Sequence, residues 1–208
     1  MALISKEAFK KTEGKRKRDL LDHANPHLDG QDFNADTTTV LSYEPSFYPG
    51  YKLLEITDRE QVPYVMRIVL FSEKKKDVVV LDWTSAPIYA LNERLPIDID
   101  VHNVSAYVRF FFQYVKGAKG SFIIVESSDD MKWKDDPTPA GRKALGDMLE
   151  PLRVTDEKDG GFTLAACFAY RGSLFSADIQ VDKTGQVMMQ NEELLIEKIP
   201  VMDDLLGQ

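Results

Sequence analysis

Three polar residues near the middle of the chain have a spacing that could bind a metal ion. Asp98, Asp100 and His102 alternate with apolar residues in the segment IDIDVH. If this segment is extended, alternate side chains point to one side, so two carboxylates and an imidazole share a face. Carboxylate oxygen and imidazole nitrogen are ligands of divalent ions. The pattern predicts a metal or small-ligand site, and the alternative interpretation is an edge strand whose polar side faces water.

A metal site at this position would need at least one further ligand. Glu126 and Asp129 follow the next predicted strand and could supply it. The sequence has no GxGxxG or GxxxxGK[ST] motif for phosphates and no GxSxG nucleophile motif. It therefore assigns neither a cofactor nor a catalytic residue.

A run of basic residues near the N-terminus is a candidate contact surface. Lys15, Arg16, Lys17 and Arg18 are consecutive, and the first 25 residues are basic whereas the remainder is acidic. Such a run predicts electrostatic contact with an acidic partner or a nucleic acid. The alternative is a solvated terminus that lies on the acidic body.

Two further residues are candidates for partner contact because they lie at the ends of predicted strands. Trp83 follows the segment VVVLD, and the alternative role for its ring is in the core or at its rim. Arg171 begins a predicted hairpin turn, where it could bind an anion or remain solvated.

Charge and composition limit the possible classes of protein. The net charge is -8 and the pI is about 5.0, which disfavours general binding to nucleic acid or to anionic membranes. Nucleic-acid contact is expected only through the basic run. The single cysteine, Cys167, lies in an apolar segment, and no apolar run is long enough to span a bilayer. We expect a cytoplasmic protein without membrane contact.

The hydrophobic pattern predicts an α+β fold. Apolar residues at helical spacing over 104–115 indicate one long buried helix, and 140–149 reads as a second, shorter helix. A strand over 161–170 with one large apolar face and one small-residue face, a turn at 171–172 and an alternating strand over 173–181 indicate an antiparallel meander. We expect both helices to pack on a curved antiparallel sheet, preceded by an N-terminal helical arm.

The predicted division of the chain has three parts. Residues 1–25 form the basic arm, residues 26–50 form a linker or wrapping loop, and residues 51–208 form a single α+β domain. The middle part is assigned as a linker because it has no sustained period and is rich in Pro, Gly and Thr.

The segments LDWTSAPIYALN, YVRFFFQYV and SFIIVES resemble uncharacterised bacterial protein families. The resemblance covers only the middle of the chain and implies no activity, cofactor or catalytic residue. The sequence therefore favours a non-enzymatic binding or assembly module, whose partner is another protein or a second copy of the chain. The alternative is a metal-dependent enzyme or small-ligand-binding protein that uses the Asp98, Asp100 and His102 set.

Overall fold

The computed structural model describes residues 4 and 6–201 of the chain. Within these residues, four α-helices accompany two five-stranded antiparallel sheets. The α+β class and the antiparallel pairing predicted from the sequence are confirmed. The prediction of a single sheet is wrong, because local alternation identifies strands but does not determine which strands pair.

The chain divides into two compact units, each with one sheet. Among the described residues, the first unit contains 6–82 and 86–98, and the second unit contains 4, 83–85 and 99–201. The chain therefore enters the second unit for three residues, returns to the first unit, and leaves it after Asp98. This division differs from the predicted boundary at residue 50.

The first unit is a five-stranded meander in which each strand pairs with the next. Its strands are β1 (Lys10–Thr12), β2 (Thr38–Tyr43), β3 (Lys52–Asp58), β4 (Val65–Ser72) and β5 (Asp77–Leu81). Two helices belong to it, α1 (Gly14–Ala24) and α2 (Ala86–Arg94). Strand β2 lies within the segment predicted to be a linker. The prediction missed this strand because pairing with β3, and not a local sequence signal, defines it.

The predicted N-terminal arm is an integral part of the first unit. Strand β1 pairs with β2, and α1 buries Leu20, Leu21 and Ala24. These side chains share a buried apolar cluster with Leu28, Phe33, Val40, Leu54, Ile56, Val69 and Phe71. The basic residues precede these buried side chains on the same helix. The sequence analysis assigned the segment to an arm because of its charge and did not identify the residues that face the core.

The second unit places a sheet between two helices. Its elements are α3 (Val104–Tyr114), β6 (Ile123–Ile124), α4 (Pro139–Gly146), β7 (Arg153–Lys158), β8 (Gly161–Tyr170), β9 (Ser173–Val181) and β10 (Val187–Ile196). The strand order is β10, β9, β8 and β6, and β7 pairs with the first half of β8. The long strand β8 therefore forms the centre of this sheet.

Opposite faces of β8 belong to different cores. On one face the ring of Phe168 lies 4.8 Å from the ring of Phe112, the residue that α3 directs toward it. On the other face Cys167 and Ala169 pack in a buried cluster with Val125, Met131, Leu145, Leu174, Ile199 and Val201. The small side chains on this second face allow the neighbouring segments to lie close to the strand.

Two tight turns fix the register of the meander in the second unit. Asp159 and Gly160 connect β7 to β8, and Arg171 and Gly172 connect β8 to β9. All four residues have positive φ, between 50° and 77°. Two-residue loops with this geometry match the right-handed twist of the flanking strands, which explains why a glycine is second in each turn.

Candidate functional site

The structure gives Asp98, Asp100 and His102 no common strand face. Asp98 belongs to the first unit, whereas Asp100 and His102 belong to the second. The segment is irregular and ends in a turn before α3. One carboxylate oxygen of Asp100 accepts hydrogen bonds from the backbone N–H groups of His102 and Asn103, at 2.8 and 2.9 Å. Asp side chains favour such turns over strands because they bond nearby backbone groups.

The two supporting carboxylates are each held by an arginine. Glu126 accepts a hydrogen bond from Arg109 at 2.5 Å, and the Glu126 side chain is 8% exposed. Asp129 accepts one from Arg142 at 2.6 Å and is exposed. Within residues 4 and 6–201, no three His, Cys, Asp or Glu side chains are grouped so that they could hold a metal ion. The metal-site hypothesis stays a prediction.

The two strand-end candidates, Trp83 and Arg171, both lie in the second unit. Trp83 has a positive φ of 68°, and its carbonyl accepts the backbone N–H of Lys116 at 2.8 Å. The Lys116 ammonium lies over the Trp83 ring, 4.1 Å from its centroid. Arg171 is exposed at the turn between β8 and β9. Trp83 therefore holds a local contact, and partner contact by either residue stays a prediction.

The four consecutive basic residues lie on α1 and differ in their surroundings. The Lys17 ammonium donates a hydrogen bond to the Thr38 carbonyl at 3.0 Å, so this residue ties the helix to β2. Arg18 is exposed. Lys15 and Arg16 line a cavity on the surface of the first unit. The basic run is thus divided between a structural contact and a possible binding surface.

This cavity, which we call the basic groove, has a volume of about 350 Å³. It lies between α1 and one end of the sheet. Its lining residues are Lys15, Arg16, Asp19, Leu20, His23, Lys52, Phe71, Glu73 and Lys76. Four of these side chains are Lys or Arg and two are carboxylates. The groove therefore concentrates positive charge on a chain whose net charge is -8.

One carboxylate lies between two of the cations. A Glu73 oxygen is 3.8 Å from the Arg16 guanidinium and 4.0 Å from the Lys52 ammonium. Lys52 is also 3.6 Å from Glu44. Close charge-assisted hydrogen bonds measure about 2.7–2.9 Å, so these pairs are loose. Arg16 and Lys52 consequently keep capacity to bind another anion.

A second cavity adjoins the basic groove and shares Lys76 with it. Its volume is about 320 Å³, and it is lined by Tyr51, Lys75, Lys76, Asp77, Arg94 and Leu95. The Asp77 carboxylate accepts hydrogen bonds from the Tyr51 hydroxyl at 2.5 Å and from the Arg94 guanidinium at 2.7 Å. Together the two cavities bring six Lys and Arg side chains and three carboxylates to the surface of the first unit.

The contacts of Asp77 change how the paired groups ionise. Burial, with the hydrogen bond to Asp77 and its negative charge, raises the pKa of Tyr51 to about 12. Burial works against ionisation of Asp77, but the hydrogen bonds from Tyr51 and Arg94 outweigh it and lower the pKa of the carboxyl. The ionised form of Asp77 is therefore stabilised by the fold.

Replacing Tyr51 by Phe should reduce the free energy of unfolding by about 1–2 kcal/mol at pH 7, because Asp77 loses a donor. The folded-state pKa of Asp77 is depressed, so its contribution is present above the unfolded pKa near 4 and is lost as pH falls further. The difference in the free energy of unfolding between the variant and the wild type should be smaller at pH 3 than at pH 7. Urea unfolding at both pH values measures this, with Tyr64→Phe as the control because Tyr64 is 59% exposed. An equal difference at the two pH values would contradict the assignment.

Sequence reasoning missed most of the cations in the two cavities. Lys52, Lys75, Lys76 and Arg94 were not candidates, although 73–76 is recognisable as a lysine-rich turn. The available signal was two basic clusters, at 15–18 and 74–76, in an otherwise acidic chain. Their proximity depends on how α1 packs on the sheet, which local patterns do not specify.

No protein-family model, curated protein or solved structure matches the chain. Across the described residues, every helix is too short or too polar to pass through a bilayer.

Proposed function

We propose that this chain is a non-enzymatic binding module that contacts an anionic partner through the basic groove. The proposal rests on one observation: the four cations of the groove come from three separate elements of the first unit. Lys15 and Arg16 come from α1, Lys52 from β3 and Lys76 from the turn after β4, yet all line one groove. A cleft with an excess of one sign of charge attracts partners of the opposite sign and orients them before contact.

The openness of the groove supports binding rather than catalysis. The side chains of Arg16 and Glu73 are 64% and 66% exposed. Enzymes usually surround their reacting groups so that water is expelled during the reaction. A groove with exposed charges above apolar side chains instead suits a contact that a partner completes when it docks.

The partner in this proposal is a protein, either a second copy of the chain or a different one. General nucleic-acid binding is disfavoured by the net charge of -8. A cytoplasmic setting in a bacterial cell is part of the same proposal. Light scattering of the purified chain measures whether a second copy binds.

The test is fluorescence anisotropy with two labelled polyanions, poly-glutamate and a single-stranded DNA oligonucleotide, at about 50 mM salt where charge contacts are strong. The double variant R16Q/K52Q should bind at least one probe about tenfold more weakly than wild type, because two charge-assisted contacts are lost. The matched control is R59Q/K134Q, which removes one arginine and one lysine charge at exposed positions outside the groove. Absence of wild-type binding to both probes, or equal losses in the two double variants, would overturn the proposal.

A further inference from the structure

Glu73 balances the charges of Arg16 and Lys52 only in part, so a ligand of the basic groove must supply further negative charge to these two residues. Glu73 lies on the turn between β4 and β5, and its carboxylate is 3.8 Å from Arg16 and 4.0 Å from Lys52. Since its side chain is 66% exposed, it can rotate into solvent without leaving a buried charge. An incoming carboxylate could then occupy the same position with shorter contacts to both cations.

The bottom of the groove is apolar. Leu20 and Phe71 line it, and both belong to the buried cluster of the first unit. The His23 ring, 6.2 Å from the Phe71 ring, lines the same groove. An occupant therefore meets cations at the rim and apolar side chains beneath them, which suits a segment that carries both carboxylates and apolar groups.

The adjoining cavity extends this chemistry along the surface. It shares Lys76 with the groove and adds Lys75 and Arg94. The Lys75 ammonium lies 5.5 Å from the centre of the Tyr51 ring, so a cation and an aromatic side chain are again adjacent. Cations distributed over two adjoining cavities fit an extended segment better than one small anion.

We infer that the basic groove and its adjoining cavity bind an acidic peptide segment of a partner protein, and that one peptide carboxylate replaces Glu73 between Arg16 and Lys52. The inference rests on the proposed function and specifies the chemistry of the partner. In the unbound protein Glu73 acts as an internal competitor for the same two cations.

A nucleic acid fits this surface less well than a peptide. Duplex DNA carries about one charge per 1.7 Å of its axis, and single strands are also charged at every nucleotide. Such a backbone would lie against the carboxylates of Asp19, Glu73 and Asp77.

The test compares three labelled probes by anisotropy: a short peptide in which Glu alternates with Leu, the same peptide with Gln for Glu, and a short single-stranded DNA. The acidic peptide should bind wild type, and R16Q/K52Q should weaken it about tenfold. Glu73→Gln should tighten it about threefold, since the internal competitor loses its charge. The control Glu157→Gln makes the same charge change at an exposed site in the second unit and should leave affinity unchanged.

The opposite responses of E73Q and R16Q/K52Q distinguish this inference from general charge attraction. If E157Q tightens binding as much as E73Q, or if E73Q weakens it, displacement of Glu73 is wrong. If DNA binds in a groove-dependent manner and the acidic peptide does not, the peptide inference and the protein partner are both wrong, while anion binding through the basic groove stands. If no probe depends on the groove, both fail. Circular dichroism and thermal unfolding of each variant verify that the fold is retained.

Discussion

Replacement of Glu126 by Ala is expected to reduce the free energy of unfolding of the second unit by about 3–5 kcal/mol. Glu126 is 8% exposed, and it accepts hydrogen bonds from Arg109 at 2.5 Å and from the Leu152 backbone at 3.1 Å. Removing the carboxylate takes its 2.5 Å ionic contact from the Arg109 guanidinium, which is 22% exposed, and removes the acceptor of the Leu152 N–H group. The cost comes mainly from the loss of the charge-assisted contact in a largely buried setting.

The measurement is urea unfolding monitored by tryptophan fluorescence, since Trp83 and Trp133 both lie in the second unit. The double variant R109M/E126L provides the control. Replacing both members of a buried ion pair with apolar residues of similar size is often close to neutral. A double variant as unstable as Glu126→Ala would show that the loss has another cause, such as the unsatisfied Leu152 N–H group.

Replacement of Phe168 by Ala should have a similarly large effect, about 3–5 kcal/mol, because it opens a cavity in the second unit. Phe168 is 1% exposed and lies near the C-terminal end of β8, the central strand of the sheet. Its ring packs against Phe112, and its backbone lies opposite Ile124 and Phe175 on the neighbouring strands. Several elements would therefore lose contacts through one substitution.

Phe168→Leu is the matched variant, since it keeps most of the side-chain volume and should cost less than about 2 kcal/mol. The same urea titration measures both variants. A loss of equal size for Leu and Ala would show that the aromatic contact, rather than the filled volume, determines stability at this position. A small loss for Ala would show that the surrounding side chains collapse into the space.

Sequence patterns predicted the elements whose structure depends on local signals. The apolar spacing over 104–115 identified the position of α3, which spans Val104–Tyr114. The alternation and the Arg171–Gly172 turn identified β8 and β9. In each case the helical or extended period and the turn residue lie within the element itself.

The elements that were missed have misleading local sequences. Strand β7 is largely polar and exposed, so it lacks alternation, and its pairing with β8 defines it. Helix α2 contains a proline, which usually argues against a helix, but Pro87 lies in its first turn, where proline is well tolerated. The apolar stripe of α1 follows four basic residues and was assigned to an arm for that reason.

The candidate site could be predicted only in fragments. Lys15 and Arg16 were identified as contact residues because they belong to a basic run, whereas Lys52 is isolated in a strand and Lys76 belongs to a separate lysine-rich turn. Asp100 was assigned to a metal site from spacing, whereas it bonds to the turn before α3. The spacing of residues along the chain predicts which side chains lie together only when the segment has the conformation that was assumed for it.

The three-residue excursion of the chain, 83–85, has a consequence for the order of folding during synthesis. These residues leave the ribosome together with the first unit, whereas Lys116, which contacts Trp83, is synthesised later. An N-terminal chain ending at Asp98 contains every described residue of the first unit but carries Trp83 without that contact. Trp83 can therefore make its contact with Lys116 only after the whole described part of the first unit has been synthesised.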